Sequence, residues 1–197
     1  RARAYVDGLP MTLTGHRCRY AKFAYFLDHI LPSTAPDQTP VNKDLAMATL
    51  LADYAAAVKY GLMNCVVTNG LPELRNMTPQ ARWCIVSGGD EAELQAVFSR
   101  RSLTPYFDAG IFGSPTDKTA ILEREFELGN IRNPALYLGD SRLDHQVASA
   151  FGIDFVFVSQ WTEFSGWQDY CAEYGIPVID KPAALSSLSD ITPGRFT

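Results

Sequence analysis

The sequence predicts an α/β protein: a parallel sheet covered by helices, preceded by a small helical segment. Three observations carry this. Four short apolar runs, at 82–87, 109–113, 135–139 and 154–158, are apolar throughout instead of alternating. Helical patterns separate them. Polar turns with glycine or carboxylates follow each of the first three runs. Strands that are apolar on both faces belong to parallel sheets covered on both sides. The composition of the 197 residues, 47% apolar and 20% charged, fits a globular chain.

In chain order, "RYAKFAYFLDHIL" sets Tyr20, Phe23, Ala24, Leu27, Ile30 and Leu31 on one helix face, and "LPSTAPDQTP" reads as the turn-rich linker that ends it. Asn42 is a good N-cap for a second helix running to Gly61, with Met47, Leu50, Leu51, Tyr54 and Val58 as its apolar stripe. These two helices make up a segment over 1–62, and the α/β part spans 63–197. "RWCIVS" is the first strand. Asp90, with Glu93 three residues on, suggests a capping box for a helix near 91–101. "AGIFG" is the second strand, "DKTAILEREFEL" a helix ending at Gly129-Asn130, and "ALYLG" the third strand. A helix over 144–151 closes at Gly152 and "DFVFV" is a further strand. "WTEFSGWQDYCAEYG" reads as one more helix, and the Ser- and Pro-rich tail from Pro182 as peripheral.

The net charge of −5 argues against nucleic acid as a partner. No stretch approaches the roughly 20 apolar residues a membrane span needs, and "RARAYVDGLP" lacks a signal-like apolar centre. Cys18, Cys65, Cys84 and Cys171 show no paired spacing and read as reduced thiols, which suggests a cytoplasmic protein. His16, His29 and His145 lack metal-ligand spacing, and no GxxxxGK[ST] or GxGxxG loop is present. Trp161, Phe164 and Trp167 read as helix packing.

Right-handed crossovers put every strand C-terminus on one edge, where open α/β sheets bind ligands. Three polar stations emerge there. Ser87 with Gly88 and Gly89 ends the first strand, Lys118 opens the helix after the second, and Asp140 with Asp144 follows the third. Each has an ordinary explanation: a strand-to-helix turn, a solvated lysine, and carboxylates favoured by a helix dipole. A lysine in a first helical turn opposes that dipole at ~0.3–1 kcal/mol, which favours an anionic partner. Together the stations suit phosphoryl transfer. Hydroxyl, amide and ammonium groups can hold a phosphate, and carboxylates can hold a hard Mg²⁺ ion.

"IVSGG", "GSPTDK" and "YLGDSRLDHQVASAFGIDFVFV" resemble, in order and spacing, the second, third and fourth motifs of the haloacid-dehalogenase-like hydrolases, over about residues 63–180. The resemblance implies a Rossmann-like core with a helical cap, and a Mg²⁺-dependent phosphatase acting on a small phosphorylated metabolite such as a sugar phosphate or phosphoglycolate. In it Ser87 and Gly88 bind phosphate, and Lys118 pairs with phosphate and nucleophile. Asp140 and Asp144 form the metal station, Asp140 as ligand and Asp144 supporting the shell by hydrogen bonds. Arg19 and Lys22, at the cap helix start, would contact substrate. A phosphomutase, or a binding module that keeps the fold without catalysis, are the alternative readings. A monomer or homodimer is expected.

The family's first motif, which carries the nucleophilic aspartate, has no counterpart here. The nearest stretch, "YVDG", has Tyr5 in the nucleophile's place and reads as cap loop. The family's first strand lies between the strands at 82–87 and 135–139. Its absence predicts two unpaired parallel edges, and an upstream segment of some tens of residues in the natural protein.

Overall fold

The structure is a computed structural model and describes residues 19–187. Tyr5, His16, Cys18 and the tail beyond Ser187 lie outside the described residues. The chain divides after Cys65 into two compact units.

In the first unit, α1 (Arg19–Tyr25) passes through a π turn (Phe26–Ile30) into α2 (Leu31–Thr34). Phe23, Leu27 and Ile30 are buried at the predicted spacing. The helix continues into "LPST" and ends at Ala35, not where the linker was expected. Pro36 disfavours helical geometry in the residue before it, which sets that end. Pro32 lacks the N–H that a regular turn would give to residue 28. The chain widens just ahead of it, with Leu31 N–H donating to the Phe26 carbonyl. Next comes α3 (Lys43–Asn64), where the Asn42 side chain accepts from Leu45 N at 2.9 Å. The helix runs past Gly61, the expected stop, for one more turn. Its stripe is half-buried, and Tyr54 meets Phe23 edge to face with ring centroids 5.7 Å apart.

The second unit opens with α4 (Leu71–Met77) and then alternates as predicted: β1 (Cys84–Asp90), α5 (Glu91–Arg100), β2 (Gly110–Ser114), α6 (Lys118–Glu127), β3 (Leu136–Gly139), α7 (Arg142–Ala150) and β4 (Asp154–Val158). α8 (Trp167–Tyr174) and β5 (Val178–Ile179) complete it. All strand pairs are parallel. Among the described residues they form two sheets, β1-β2 and β3-β4-β5. The inner edges of β1 and β3 have no strand partner there, as expected for a core without a central strand.

The main core lies where α6, α7 and α8 cover β4. Leu122, Val147, Ala148, Phe155 and Phe157 fill it, and Phe157 stacks on Trp167 at 5.4 Å. A second cluster joins Val156, Val158 and Ile179 to Leu136, Leu138, Ala184 and Leu185. The chain from Pro182 is therefore packed through Leu185, which corrects the expectation of a peripheral tail from that point. The expected helix over 161–175 shortens to α8, bounded by Gly166 and Gly175 in left-handed geometry (φ +83° and +62°). The preceding residues form a loop.

β1 extends to Asp90 instead of stopping at Ser87, with its register against β2 shifting between Val86 and Asp90. Gly88 and Gly89 supply that irregular stretch. Gly113 of β2 is required by it, since a Cβ there would lie 2.3 Å from the Gly89 carbonyl oxygen.

Candidate functional site

The predicted stations sit at the C-terminal ends of β1, β2 and β3. Lys118 is the first residue of α6, whose N-cap Asp117 accepts from Ala120 N at 2.9 Å. Asp144 stands in the first turn of α7, capped by Ser141. The two meet directly, Lys118 Nζ donating to Asp144 Oδ1 at 2.5 Å. Asp144 is almost fully buried, with 3% of its side chain exposed.

Asp144 is the hub. Besides Lys118, its Oδ1 accepts from Tyr137 OH at 3.2 Å, and its Oδ2 accepts from Ser141 Oγ at 2.7 Å. Burial pushes its carboxyl up, but the Lys118 ammonium and these donors outweigh that and hold it below the usual range. Tyr137 shifts the other way. Burial, with the Asp144 charge beside it, raises its phenol far above the ordinary value, so it serves as a fixed donor.

Gly139 makes this packing achievable. A Cβ on it would lie 2.4 Å from Asp144 Cβ and 2.9 Å from a Phe155 ring carbon. Only glycine lets α7 bring its carboxylate against the tip of β3.

Asp140, one residue beyond β3, keeps its contact with solvent. The protein around it withdraws enough water to raise its carboxyl, the Asp144 charge adds to the rise, and Lys118 opposes it. Its backbone carbonyl accepts from Thr162 Oγ1 at 2.6 Å.

Lys118, Asp140 and Asp144 are thus brought together. Ser87 lies at the C-terminal part of β1, and its hydroxyl accepts from Gly89 N at 3.0 Å, a local turn bond. Gly88 is exposed, with open space where a side chain would stand. Arg19 and Lys22 belong to the first unit, where the Arg19 guanidinium lies 5.1 Å from the Tyr54 ring centroid. Among the described residues no three His, Cys, Asp or Glu side chains gather as a metal cluster.

Three residues here went unassigned in the sequence. Ser141 carries a readable signal, since a serine three residues before an acid is a capping pattern. Tyr137 is readable by strand parity: it shares a face with Gly139, whose missing side chain admits Asp144. Thr162 has no signal, because its bond joins segments 22 residues apart through an irregular loop.

No protein-family model matches the chain, and no curated protein sequence does. A structure search finds the crystal structure of a "Putative Phosphatase from Clostridium difficile", with a TM-score of 0.63 at 14% identity, covering 93% of this chain and 79% of that one. The likeness is one of fold: this chain shares the α/β architecture of that structure, with parallel strands alternating with helices. A HAD-superfamily hydrolase structure from Ehrlichia chaffeensis also matches, at 22% identity and a TM-score of 0.42, covering 83% of this chain and 89% of that one. Among the described residues, no helix is long and apolar enough to cross a membrane.

Proposed function

We propose that this chain belongs to a HAD-like, Mg²⁺-dependent phosphatase-type hydrolase acting on a small phosphorylated metabolite, a sugar phosphate or a phosphoglycolate-like acid. The observation that carries the reading is the Lys118–Asp144 pair at 2.5 Å beside the solvent-facing Asp140, beyond the C-terminal ends of β2 and β3. The reading also needs a nucleophilic aspartate, a role that none of the residues assigned here fills.

The donor set fits a hard cation. Asp140 is exposed, negative, and raised by its surroundings in a way that a nearby cation would relieve. Mg²⁺ needs one or two carboxylates and keeps several waters, so Asp140 suffices as the ligand from this chain. Both oxygens of Asp144 are used by protein donors, which assigns it to orientation instead of direct ligation. When bound, the metal supplies charge stabilisation at the transferring phosphate.

The other roles follow from the chain's own groups. Lys118, fixed by Asp144, offers the rest of its ammonium to a phosphate oxygen and to the nucleophile. Ser87 and the Gly88 amide add donors at the end of β1, Ser87 turning from its local bond to reach the anion. Arg19 and Lys22 are assigned to recognition of the rest of the substrate. The three free cysteines among the described residues suit a reducing, cytoplasmic setting. The test is hydrolysis of a panel of small phosphate monoesters by the protein. Activity that needs Mg²⁺ and falls at least a hundredfold in Asp140→Asn is expected; Mg²⁺-dependent turnover untouched by that change sinks the assignment.

A further inference from the structure

The loop between β4 and α8 reaches back to the turn that carries Asp140. It leaves β4 stitched to the far side of the sheet, Ser159 N and Gln160 N donating to the carbonyls of Ile179 and Asp180 at 2.9 and 3.0 Å. It then crosses to the end of β3. There the Thr162 hydroxyl is used twice: it donates to the Asp140 carbonyl at 2.6 Å and accepts from Phe164 N at 3.1 Å. Two residues after Asp140, at the start of α7, the Arg142 guanidinium covers the Phe164 ring at 5.0 Å and the Tyr170 ring at 5.0 Å. The loop therefore grips residues 140 and 142, one on each side of Ser141. Ser141 is the cap of α7 and the donor to Asp144 Oδ2. A bonded path runs from Thr162 through the 140–142 backbone to Asp144 and on to Lys118.

A loop this polar and this short of buried residues would be expected to move. Trp161 is 53% exposed, and Gln160, Glu163 and Ser165 face solvent. Its grip on the Asp140 turn is the exception. A hydroxyl bonded at both ends has one favoured rotamer, and it holds the carbonyl of the residue whose side chain faces solvent at the rim. Groups one bond removed from a ligand set its orientation, and losing them typically lowers metal affinity ten- to a hundredfold.

We propose that Thr162 is a positioning residue: its hydroxyl fixes the Asp140 backbone so that the Asp140 carboxylate is presented for a divalent cation. This rests on the reading of Asp140 as the cation's ligand. The experiment measures Mn²⁺ binding to the 197-residue chain by electron paramagnetic resonance, without substrate. It compares the parent with Thr162→Val, which keeps the shape and loses the hydroxyl, with Thr162→Ser, which keeps the hydroxyl, and with Asp140→Asn. Circular dichroism of each variant shows whether it is folded at the temperature of measurement. The expected result is abolished binding in Asp140→Asn, affinity lowered on the order of tenfold or more in folded Thr162→Val, and near-parent affinity in Thr162→Ser. If Asp140→Asn abolishes binding while Thr162→Val binds like the parent, the positioning role fails and the cation reading stands. If Thr162→Ser is as weak as Thr162→Val, the hydroxyl is not the cause and the proposal fails. If Asp140→Asn binds like the parent, both readings fall.

Discussion

The two half-sheets of the second unit are built from similar sequence and held by different forces. β4 has a strand on each side, and Phe155, Val156, Phe157 and Val158 are all buried. In β1, paired on one side only among the described residues, none of the seven residues is buried, although Cys84, Ile85 and Val86 are as apolar as their counterparts. Beside the buried Leu94, Val97 and Ile111, the contacts that hold the β1-β2 sheet are polar. Gln95 Nε2 donates to the Ile111 carbonyl at 2.9 Å, and Gly113 N donates to Glu91 Oε2 at 2.9 Å. At the N-terminal end, Trp83 N donates to Asp108 Oδ1 at 2.9 Å, while Arg75 pairs with Asp108 at 3.1 Å and lies 5.3 Å from the Trp83 ring centroid. Burial in a parallel sheet thus comes from having neighbours on both edges, not from apolar composition alone. The contrast also has a direction. Side chains of α5 bond the backbone of β2, while β1 and β3 each keep an edge without a strand partner among the described residues.

The largest expected break is in the well-buried sheet. Phe157 is 0% exposed, so Phe157→Ala should cost about 3–5 kcal/mol in urea unfolding. Val86→Ala, on a half-buried strand, should cost well under half of that; equal costs would erase the distinction between the sheets. Next comes the pair at their meeting edge. Lys118→Met strands a buried carboxylate, and the loss should be on the order of 3 kcal/mol. Because the uncompensated Asp144 is the cause, Lys118→Met/Asp144→Asn should recover part of it, and a double variant no more stable than the single one contradicts that account. Smaller still, Gln95→Ala leaves the Ile111 carbonyl without its side-chain donor at the sheet edge, for about 1 kcal/mol. Amide exchange should quicken in β2 and stay unchanged in β4.

The same contrast explains what could be read in advance. The alternation of strands and helices was legible because strand runs apolar on both faces have few other uses, even where β1 fails to become buried. Asn42, Asp90 and Asp117 marked helix starts, and each side chain caps as its chemistry requires. Lys118 and Asp144 could be placed on one edge from crossover handedness alone. Their direct contact depends on Gly139 admitting Asp144, a steric fact visible only once Phe155 and α7 have positions. Gly166 hid the end of the last helix inside an aromatic-rich run that looked continuous. Thr162 was illegible for a deeper reason: its role is a single tertiary bond between segments that share no periodicity.

The smallest predicted effect tests the polar clip at the base of β1. The Asp108 carboxylate is held below its ordinary range chiefly by the Trp83 N–H, with Arg75 and Arg82 adding attraction against a modest cost of burial. A carboxyl depressed by folding lends stability that is complete above its unfolded value, about 3.9, and disappears as pH falls toward its folded one. At 43% exposure of the side chain, solvent screens much of the Arg75 pairing, so the global unfolding midpoint should hardly move. The local signal is clearer. As pH falls below about 4, beyond the intrinsic pH dependence of exchange, protection should fall first in β1 and β2 and last in β4. In Asp108→Asn the two sheets should lose it together, because an amide oxygen still accepts from Trp83 but no longer titrates. A β1-β2 sheet that loosens in acid as readily with asparagine as with aspartate would show that its clip is not electrostatic.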